Sequence, residues 1–433
     1  MRIKETVLDR GVYRVYGPVR IDVIDGEIFH LGRDVKNNEE IIVVADQTVA
    51  IFVKQPTKTR ITFGLSGEIV PSSSEEEPIF HWKKIVEEIV ANKYRVVMVL
   101  GETDSGKSTF SAFLANYAFV NGYRTVIIDS DVGQNDLGFP GCISSARLKK
   151  PLSWLRELSY ENLFFVGSTT PANNTDSVIV GTRTLVEKEK ENSDLIIINT
   201  DGWIDDIYAR KYKTKLILHV KPDALVVMEG TGKSEYIVKF FGDLIPVYKA
   251  KTPSIRRIKK RARRRLRREV SYIDLFLNGV KRQIPLGKTP ILGSMLFSGE
   301  KISANQLEIL NKLLFGGVIY SEKYDKIGVL ILKNENVKRN AKKYLLEIKK
   351  LLNVNRIIML SLSDLVGVVV GLVGEKLEYI GVGVINKIDF RKNIIYLTTS
   401  LGDETTEIKG LVLGNIKIER DGTETRLHNL SYL

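Results

Sequence analysis

The sequence predicts an α/β fold: a central parallel sheet flanked by helices, with a small all-β domain before it and a mostly β domain after it. Three observations carry this. From Tyr94 to about Tyr248, short apolar runs alternate with stretches of helical periodicity, a pattern that implies right-handed crossovers and a sheet covered on both faces. Residues 1 to about 70 instead alternate apolar and polar positions, as in Gly11-Val-Tyr-Arg-Val-Tyr16, with turn residues at Asp25-Gly26 and Asn37-Asn38. From about Pro285 onward, short β runs return after one helical stretch around Ala304–Leu314. The division this suggests is 1–75, 76–284 and 285–433, and a length of 433 residues suits two or three domains.

Taken in order, the N-terminal β runs end at Pro71-Ser-Ser-Ser-Glu-Glu-Glu-Pro78, a polar stretch bounded by prolines that reads as a linker. Ile79 to Lys93 reads as an amphipathic helix. Strand-like runs follow at Val96–Leu100, Thr125–Asp129, Leu163–Val166, Leu195–Asn199 and Ala224–Met228. The net charge of +13 is concentrated: ten basic residues and no acid lie between Arg256 and Arg268, leaving 13 − 10 = +3 elsewhere. One local basic segment points to a polyanionic partner at one place; a solvated helix face is the alternative. Cys142 is the only cysteine, which rules out an intrachain disulfide and fits a reducing, cytoplasmic setting. Ile357–Gly374, the most apolar tract, is broken by Asp364, so its longest uncharged run is ten residues where a spanning helix needs about 20, and no membrane partner is expected.

The chemistry concentrates at the carboxyl ends of the central strands. Gly101-Glu-Thr-Asp-Ser-Gly-Lys-Ser108 matches G-x-x-x-x-G-K-[ST] between a buried strand and a helix running to Asn121. The expected ATP-binding residues are accordingly Gly101, Glu102, Thr103, Asp104, Ser105, Gly106, Lys107, Ser108 and, just after the motif, Thr109. The glycines let backbone N–H groups turn toward phosphates, and the helix N-terminus adds positive potential. Lys107 should reach the β- and γ-phosphates, and Ser108 should offer a hydroxyl to Mg²⁺. The next strand ends in Asp129-Ser-Asp131-Val-Gly-Gln134. Two acids at i and i+2 face one side, so one can serve the metal and the other take a proton. Gly167-Ser-Thr-Thr-Pro-Ala-Asn-Asn174 offers hydroxyls and amides to phosphate or ribose, or else simply caps a helix. Trp203, in Asn199-Thr-Asp-Gly-Trp203, is placed either to stack on a base or to pack.

These four motifs, in this order and followed by an Arg-rich segment, resemble the polyribonucleotide 5′-hydroxyl kinases. That family includes the kinase subunit of the mRNA cleavage factor, the rRNA-processing polynucleotide kinases and archaeal relatives. The resemblance is carried by residues 94–280 and, in the flanks, by architecture alone. It implies ATP- and Mg²⁺-dependent phosphorylation of an RNA or DNA 5′-hydroxyl, with RNA-processing proteins as partners. By the family pattern Asp131 resembles the general base, with Asp129 and Gln134 near metal and phosphates. Thr169, Thr170 and Asn173 resemble a phosphate clasp, and Trp203 a residue stacking on the 5′-terminal base. Arg264, Arg267 and Arg268 resemble a lid over the γ-phosphate.

Two rival functions remain open on sequence: an RNA-processing scaffold that holds ATP structurally, and a P-loop ATPase driving a protein partner. The basic segment and Trp203 argue against the second. Asn386-Lys-Ile-Asp389 spells a guanine-recognition motif but lies in the β-rich C-terminal region. Gly230-Thr-Gly-Lys-Ser234 lacks the first glycine of a P-loop and reads as a polar helix start.

Overall fold

The structure, a computed structural model, describes residues 2–45, 47–254, 261–402, 406–419 and 421–427, except the side chains of Arg261 and Arg426. Internal packing divides the chain into two units. One comprises Met1–Gly138, Ile143–Asn162 and Pro171–Arg261, the other Phe139–Cys142, Leu163–Thr170 and Ala262–Leu433.

The first unit begins with two antiparallel sheets. One runs in the order Arg2–Leu8, Thr57–Phe63, Val19–Asp25, Glu40–Val43. The other runs Arg33–Val35, Ile28–His30, Thr48–Val53, Gly11–Tyr16, Glu68–Ser72. Alternate residues turn inward, and Val15, Ile21, Ile28, Ile41, Ile51 and Ile61 meet in one core. Helix α1 (Ile79–Ala91) buries Ile79, Trp82, Ile85, Val86 and Ile89, the spacing of one helical face. The polar stretch before it is not a free linker. Glu68–Ser72 completes a sheet, and Glu77, 3% exposed, is ion-paired with Arg14, 1% exposed, because each charge needs the other once water is excluded.

The central strands of this unit are numbered here along the chain. They are β1 (Val96–Leu100), β2 (Thr125–Asp129), β3 (Cys142–Arg147), β4 (Leu195–Asn199), β5 (Ala224–Met228) and β6 (Val247–Ala250), in the spatial order β3-β2-β4-β1-β5-β6. Every residue of β1, β2, β4 and β5 is buried, as strands covered on both faces must be. The sheet departs from the all-parallel expectation at β3, which pairs antiparallel with β2. The polar, hydroxyl-bearing sequence Cys-Ile-Ser-Ser-Ala-Arg of β3 gave no apolar run to detect. Helices α2 (Lys107–Val120), α3 (Thr175–Lys190), α4 (Ile207–Val220) and α5 (Glu235–Phe241) make the crossovers.

The N-terminal sheets are anchored on α2. Phe29 meets Phe113 edge-on at 5.7 Å, and Asn116 Nδ2 donates to Leu31 O at 2.9 Å. Gly32 holds φ +83°, and a Cβ there would lie 2.2 Å from Phe113 O, so this approach admits only glycine.

The second unit contains α6 (Arg261–Asn278). Its larger sheet runs Val280–Pro285, Ile394–Thr399, Tyr379–Asp389, Val368–Val373, Gly410–Ile418, Ile291–Leu292, with Glu424–Arg426 added beside Gly410–Ile418. A four-stranded sheet carries more helix than the sequence suggested. Besides Ala304–Leu313, helices form at Glu335–Ala341 and Leu345–Leu352, short elements rich in Lys and Glu. Ile357–Gly374 holds parts of two strands joined by a four-residue helix. No helix among the described residues is long and apolar enough to cross a membrane.

Candidate functional site

The loop Gly101–Ser108 joins β1 to α2, and its glycines carry the turn. Gly106 sits at φ +97° as the residue before the helix. At Gly101 a Cβ would lie 2.7 Å from the Met228 side chain, so β5 presses against the loop. Lys107 is 7% exposed, and its Nζ donates to Glu102 O at 2.7 Å, closing the loop on itself. Burial lowers its pKa to about 8, more than the nearby Asp131, Asp201 and Asp104 carboxylates restore. The Glu102 carboxylate accepts from Thr231 N and Oγ1, each at 2.8 Å. That contact ties the loop after β5 to the P-loop. Gly230–Ser234 itself leads into α5, as expected of a polar helix start.

Two members of the expected ATP-binding stretch, Asp104 and Ser105, are placed differently from the rest of the loop. Asp104 is half-buried at φ +58°, a left-handed conformation that aspartate tolerates better than most residues. Its negative charge favours the charged form of Lys107. Ser105 is fully buried, and its N donates to Glu102 O at 3.2 Å. Its Oγ is sealed inside the turn without a hydrogen-bond partner, 2.8 Å from where a Cβ on Gly101 would stand. Thr103 is exposed, whereas Ser108 and Thr109, in the first turn of α2, are half-buried.

Because β4 lies between β1 and β2, the ends of all three strands converge beside this loop. Asp129 closes β2 and is fully buried. Its Oδ1 accepts from Asp131 N at 3.1 Å and its Oδ2 from Asp136 N at 2.6 Å. Burial, with Asp136 and Asp131 adding repulsion, pushes its pKa well above the carboxylate range. Asp131 follows in a turn, its Oδ1 accepting from Gly133 N at 3.0 Å and Gln134 N at 2.9 Å. Burial raises its pKa as well, then the neighbouring Asp201, while Lys107 opposes the shift. A raised carboxylate pKa suits a proton acceptor working near neutrality.

Ser108 Oγ lies 3.3 Å from Asn199 Nδ2, and the same amide reaches Asp129 Oδ1 at 3.1 Å. Among the described residues no three His, Cys, Asp or Glu side chains gather as a metal cage. One buried carboxylate, one hydroxyl and an unpaired buried amide oxygen do fit a cation that keeps much of its water and binds mainly through phosphates.

Trp203 is held from three directions. Its backbone N donates to Asp201 Oδ1 at 2.9 Å, its Nε1 to Asp206 Oδ2 at 2.6 Å, and its ring stacks on Tyr212 at 5.9 Å and 25°. Beneath it, Asp201 Oδ2 accepts from Tyr212 Oη at 2.8 Å and from Lys213 Nζ at 2.7 Å. Gly202 lets this turn lie against the P-loop, since a Cβ there would come within 2.4 Å of Thr103 Oγ1.

Asn173 is exposed with φ +64° at the start of α3, in the first unit. Thr169 and Thr170 pack with the second unit, where Thr169 Oγ1 donates to Glu424 Oε1 at 3.1 Å. In α6, Arg264, Arg267 and Arg268 are half-buried, whereas Arg263 and Arg265 are exposed. Arg268 Nε pairs with Glu424, which is 7% exposed, and Arg265 donates to Glu424 O at 3.0 Å. Of the basic segment, residues 256–260 lie outside the described residues. Asn386 is a strand residue donating to Thr398 Oγ1 at 2.7 Å, a structural role.

Asn199, Asp201, Tyr212, Lys213 and Glu424 were not picked out from the sequence. A strand-end rule could have found Asn199, since it closes the apolar run of β4 as Asp129 closes β2. Lys213 and Glu424 left no signal, because single charged residues on a helix and in a terminal strand look solvated.

The family model of the mRNA cleavage and polyadenylation factor CLP1 P-loop matches residues 101–276. The chain is 28% identical over 332 residues to the polyribonucleotide 5′-hydroxyl-kinase of Methanocaldococcus jannaschii, a match covering 76% of this chain and 89% of that protein. It is 29% identical over 348 residues to the enzyme of the same name from Thermococcus kodakarensis, covering 79% and 94%. The solved Clp1p of a Clp1p–Pcf11p complex shares the fold, with a TM-score of 0.62 at 14% identity over 96% of this chain and 98% of that one. The P-loop with its strand-end acids and these relatives support a place beside the polyribonucleotide 5′-hydroxyl kinases, which the chain resembles over most of its length, and the chain is a nucleotide-binding P-loop kinase.

Proposed function

We propose that the chain transfers the γ-phosphoryl group of ATP to the 5′-hydroxyl of RNA, with DNA 5′-ends as a second acceptor. The observation that carries this is the juxtaposition of the P-loop with Asp131 and Trp203, at the ends of three adjacent strands. Phosphoryl transfer asks for little covalent work from a protein, only for positioning and charge stabilisation. Lys107, a buried cation, takes the β- and γ-phosphates, and the N–H groups at the start of α2 add to it, because its N-cap, Gly106, has no side chain to cap them. Asp131 accepts the proton of the attacking 5′-hydroxyl; its raised pKa makes it a better base than a solvated carboxylate. Trp203, fixed by Asp201 and backed by Tyr212, presents an aromatic surface for the terminal base. Ser108 and Asp129 would hold Mg²⁺, which neutralises charge on the phosphates.

The rest of the stretch from Gly101 to Thr109 belongs to the proposal as the ATP cradle. Within it Asp104 and Ser105 shape the loop instead of offering side chains to phosphate. A carboxylate would repel the nucleotide, and the Ser105 hydroxyl is sealed in the turn. Thr169, Thr170, Asn173 and Gln134 are included as phosphate and RNA contacts, and Arg264, Arg267 and Arg268 as catalytic arginines. An RNA-processing protein partner is also included, since the solved relative is a Clp1p–Pcf11p complex. The test is incubation with γ-labelled ATP and 5′-OH oligoribonucleotides or oligodeoxyribonucleotides. Label on the polynucleotide is the expected result. Tight ATP binding without transfer to either acceptor would favour the scaffold reading instead.

A further inference from the structure

We infer that Asn199 is a positioning residue for the nucleotide-bound divalent cation: its amide nitrogen ties Ser108 to Asp129, and its amide oxygen accepts from a cation-bound water. The inference rests on the Mg²⁺–nucleotide part of the reading above, not on the acceptor. Asn199 ends β4, the strand between the P-loop strand and the strand ending in Asp129, and it is in register with Asp129. Its backbone is fixed there, because its carbonyl accepts from Ser130 N at 2.9 Å and Ser130 Oγ at 3.1 Å. Its Nδ2 stands 3.3 Å from Ser108 Oγ and 3.1 Å from Asp129 Oδ1, the two groups assigned to the metal.

The residue is 2% exposed, and its Oδ1 has no hydrogen-bond partner. An amide oxygen buried without a donor is costly, and natural interiors rarely keep one unless a ligand or water completes it. A hydrated Mg²⁺ brings such donors, since it gives up its waters reluctantly. The amide also fits the charge balance. An acid at this position would stand beside buried Asp129 and the nucleotide's phosphates, adding repulsion. Asparagine donates to the carboxylate and accepts from water at once.

The experiment is calorimetric binding of ADP and of a non-hydrolysable ATP analogue to the full chain, with Mg²⁺ titrated and with Mg²⁺ removed by chelator. In Asn199→Ala the Mg²⁺ concentration giving half-maximal tightening should rise about 10-fold or more, the usual effect of losing a group that orients metal ligands. Metal-free nucleotide affinity should stay within about twofold of wild type. Mn²⁺ in place of Mg²⁺ gives a second readout, an altered water-proton relaxation in the variant's nucleotide complex. If Asn199→Ala does not fold, Asn199→Ser is used, whose hydroxyl can still meet a water and should show a smaller rise. Equal loss of affinity with and without metal would assign Asn199 to plain support of the P-loop and overturn the inference. An unchanged metal midpoint would overturn it as well. Because no polynucleotide is present, absence of phosphoryl transfer to RNA leaves this result standing. Absence of any Mg²⁺ effect in the wild type defeats both.

Discussion

Replacing Lys213 by Met should destabilise the first unit by about 3 kcal/mol and loosen the Trp203 platform. Lys213 is completely buried, its ammonium 2.7 Å from Asp201 Oδ2, 3.1 Å from Asp201 O and 4.7 Å above the Tyr212 ring. Removing one member of such a buried pair typically costs about 3–5 kcal/mol, because the other charge is left uncompensated. Two features bring the expectation to the lower end. Tyr212 Oη and Trp203 N still donate to the Asp201 carboxylate, and methionine fills most of the volume of the lysine stem. The double change Lys213→Met with Asp201→Asn removes the orphaned charge: its one amide oxygen can accept from Trp203 N, while its NH2 group faces the Tyr212 hydroxyl, whose oxygen can accept. It should therefore recover most of the loss. Urea unfolding followed by tryptophan fluorescence reads both variants without nucleotide. In folded Lys213→Met, the KM for an RNA acceptor should rise while ATP affinity stays within about twofold, since Asp201 also fixes Trp203. A loss below about 1 kcal/mol in the single variant, or a double variant no more stable than the single, would refute the uncompensated-charge argument.

Three further outcomes test the site directly. Lys107→Ala should lower turnover at least about 10²-fold by removing a buried cation from the phosphates, and a rate near wild type in the γ-labelled ATP assay would remove that role. Asp131→Asn should retain ATP binding yet lose about 10²–10⁴ in turnover, because an amide cannot accept the hydroxyl proton; loss of ATP binding by calorimetry would shift Asp131 to the metal. Trp203→Ala should weaken oligonucleotide binding by about 1–3 kcal/mol with ATP affinity unchanged. A lowered melting temperature with unaltered RNA affinity would make Trp203 a packing residue only.

What the sequence revealed follows from the range of the interactions involved. β1, β2, β4 and β5 were legible because strands buried on both faces must be apolar throughout, and the P-loop because its spacing is set by one tight turn. That spacing assigns Lys107 and Ser108 but not the direction of the side chains between the glycines, and so Ser105, whose hydroxyl is sealed in the turn, was counted with the ATP-binding stretch. β3 was not legible, since its hydroxyls are satisfied by partners far along the chain; Ser145 Oγ, for example, donates to Glu189 Oε1 at 2.7 Å. The register of the basic segment was ambiguous for the same reason. Ten similar charges in thirteen residues look alike until their partners are known. Glu424, some 155 residues away, receives Arg268 and the Thr169 hydroxyl on one carboxylate. A carboxylate held between an arginine and a threonine hydroxyl occupies hydrogen bonds that a phosphate oxygen could otherwise take. If Arg268 serves catalysis, Glu424 competes with substrate phosphate for it, and Glu424→Gln should raise RNA affinity or turnover. If Arg268 is structural, the same change leaves a half-buried guanidinium short of its counter-charge, and stability falls with no gain in rate. An alanine scan at saturating RNA separates the cases. Catalytic use predicts an uneven profile, with one or two of Arg264, Arg267 and Arg268 costing about 10³-fold or more and the exposed Arg263 costing little. A flat profile, with each change only reducing the salt slope of RNA binding by up to about one, would make α6 an electrostatic surface and remove all three from catalysis.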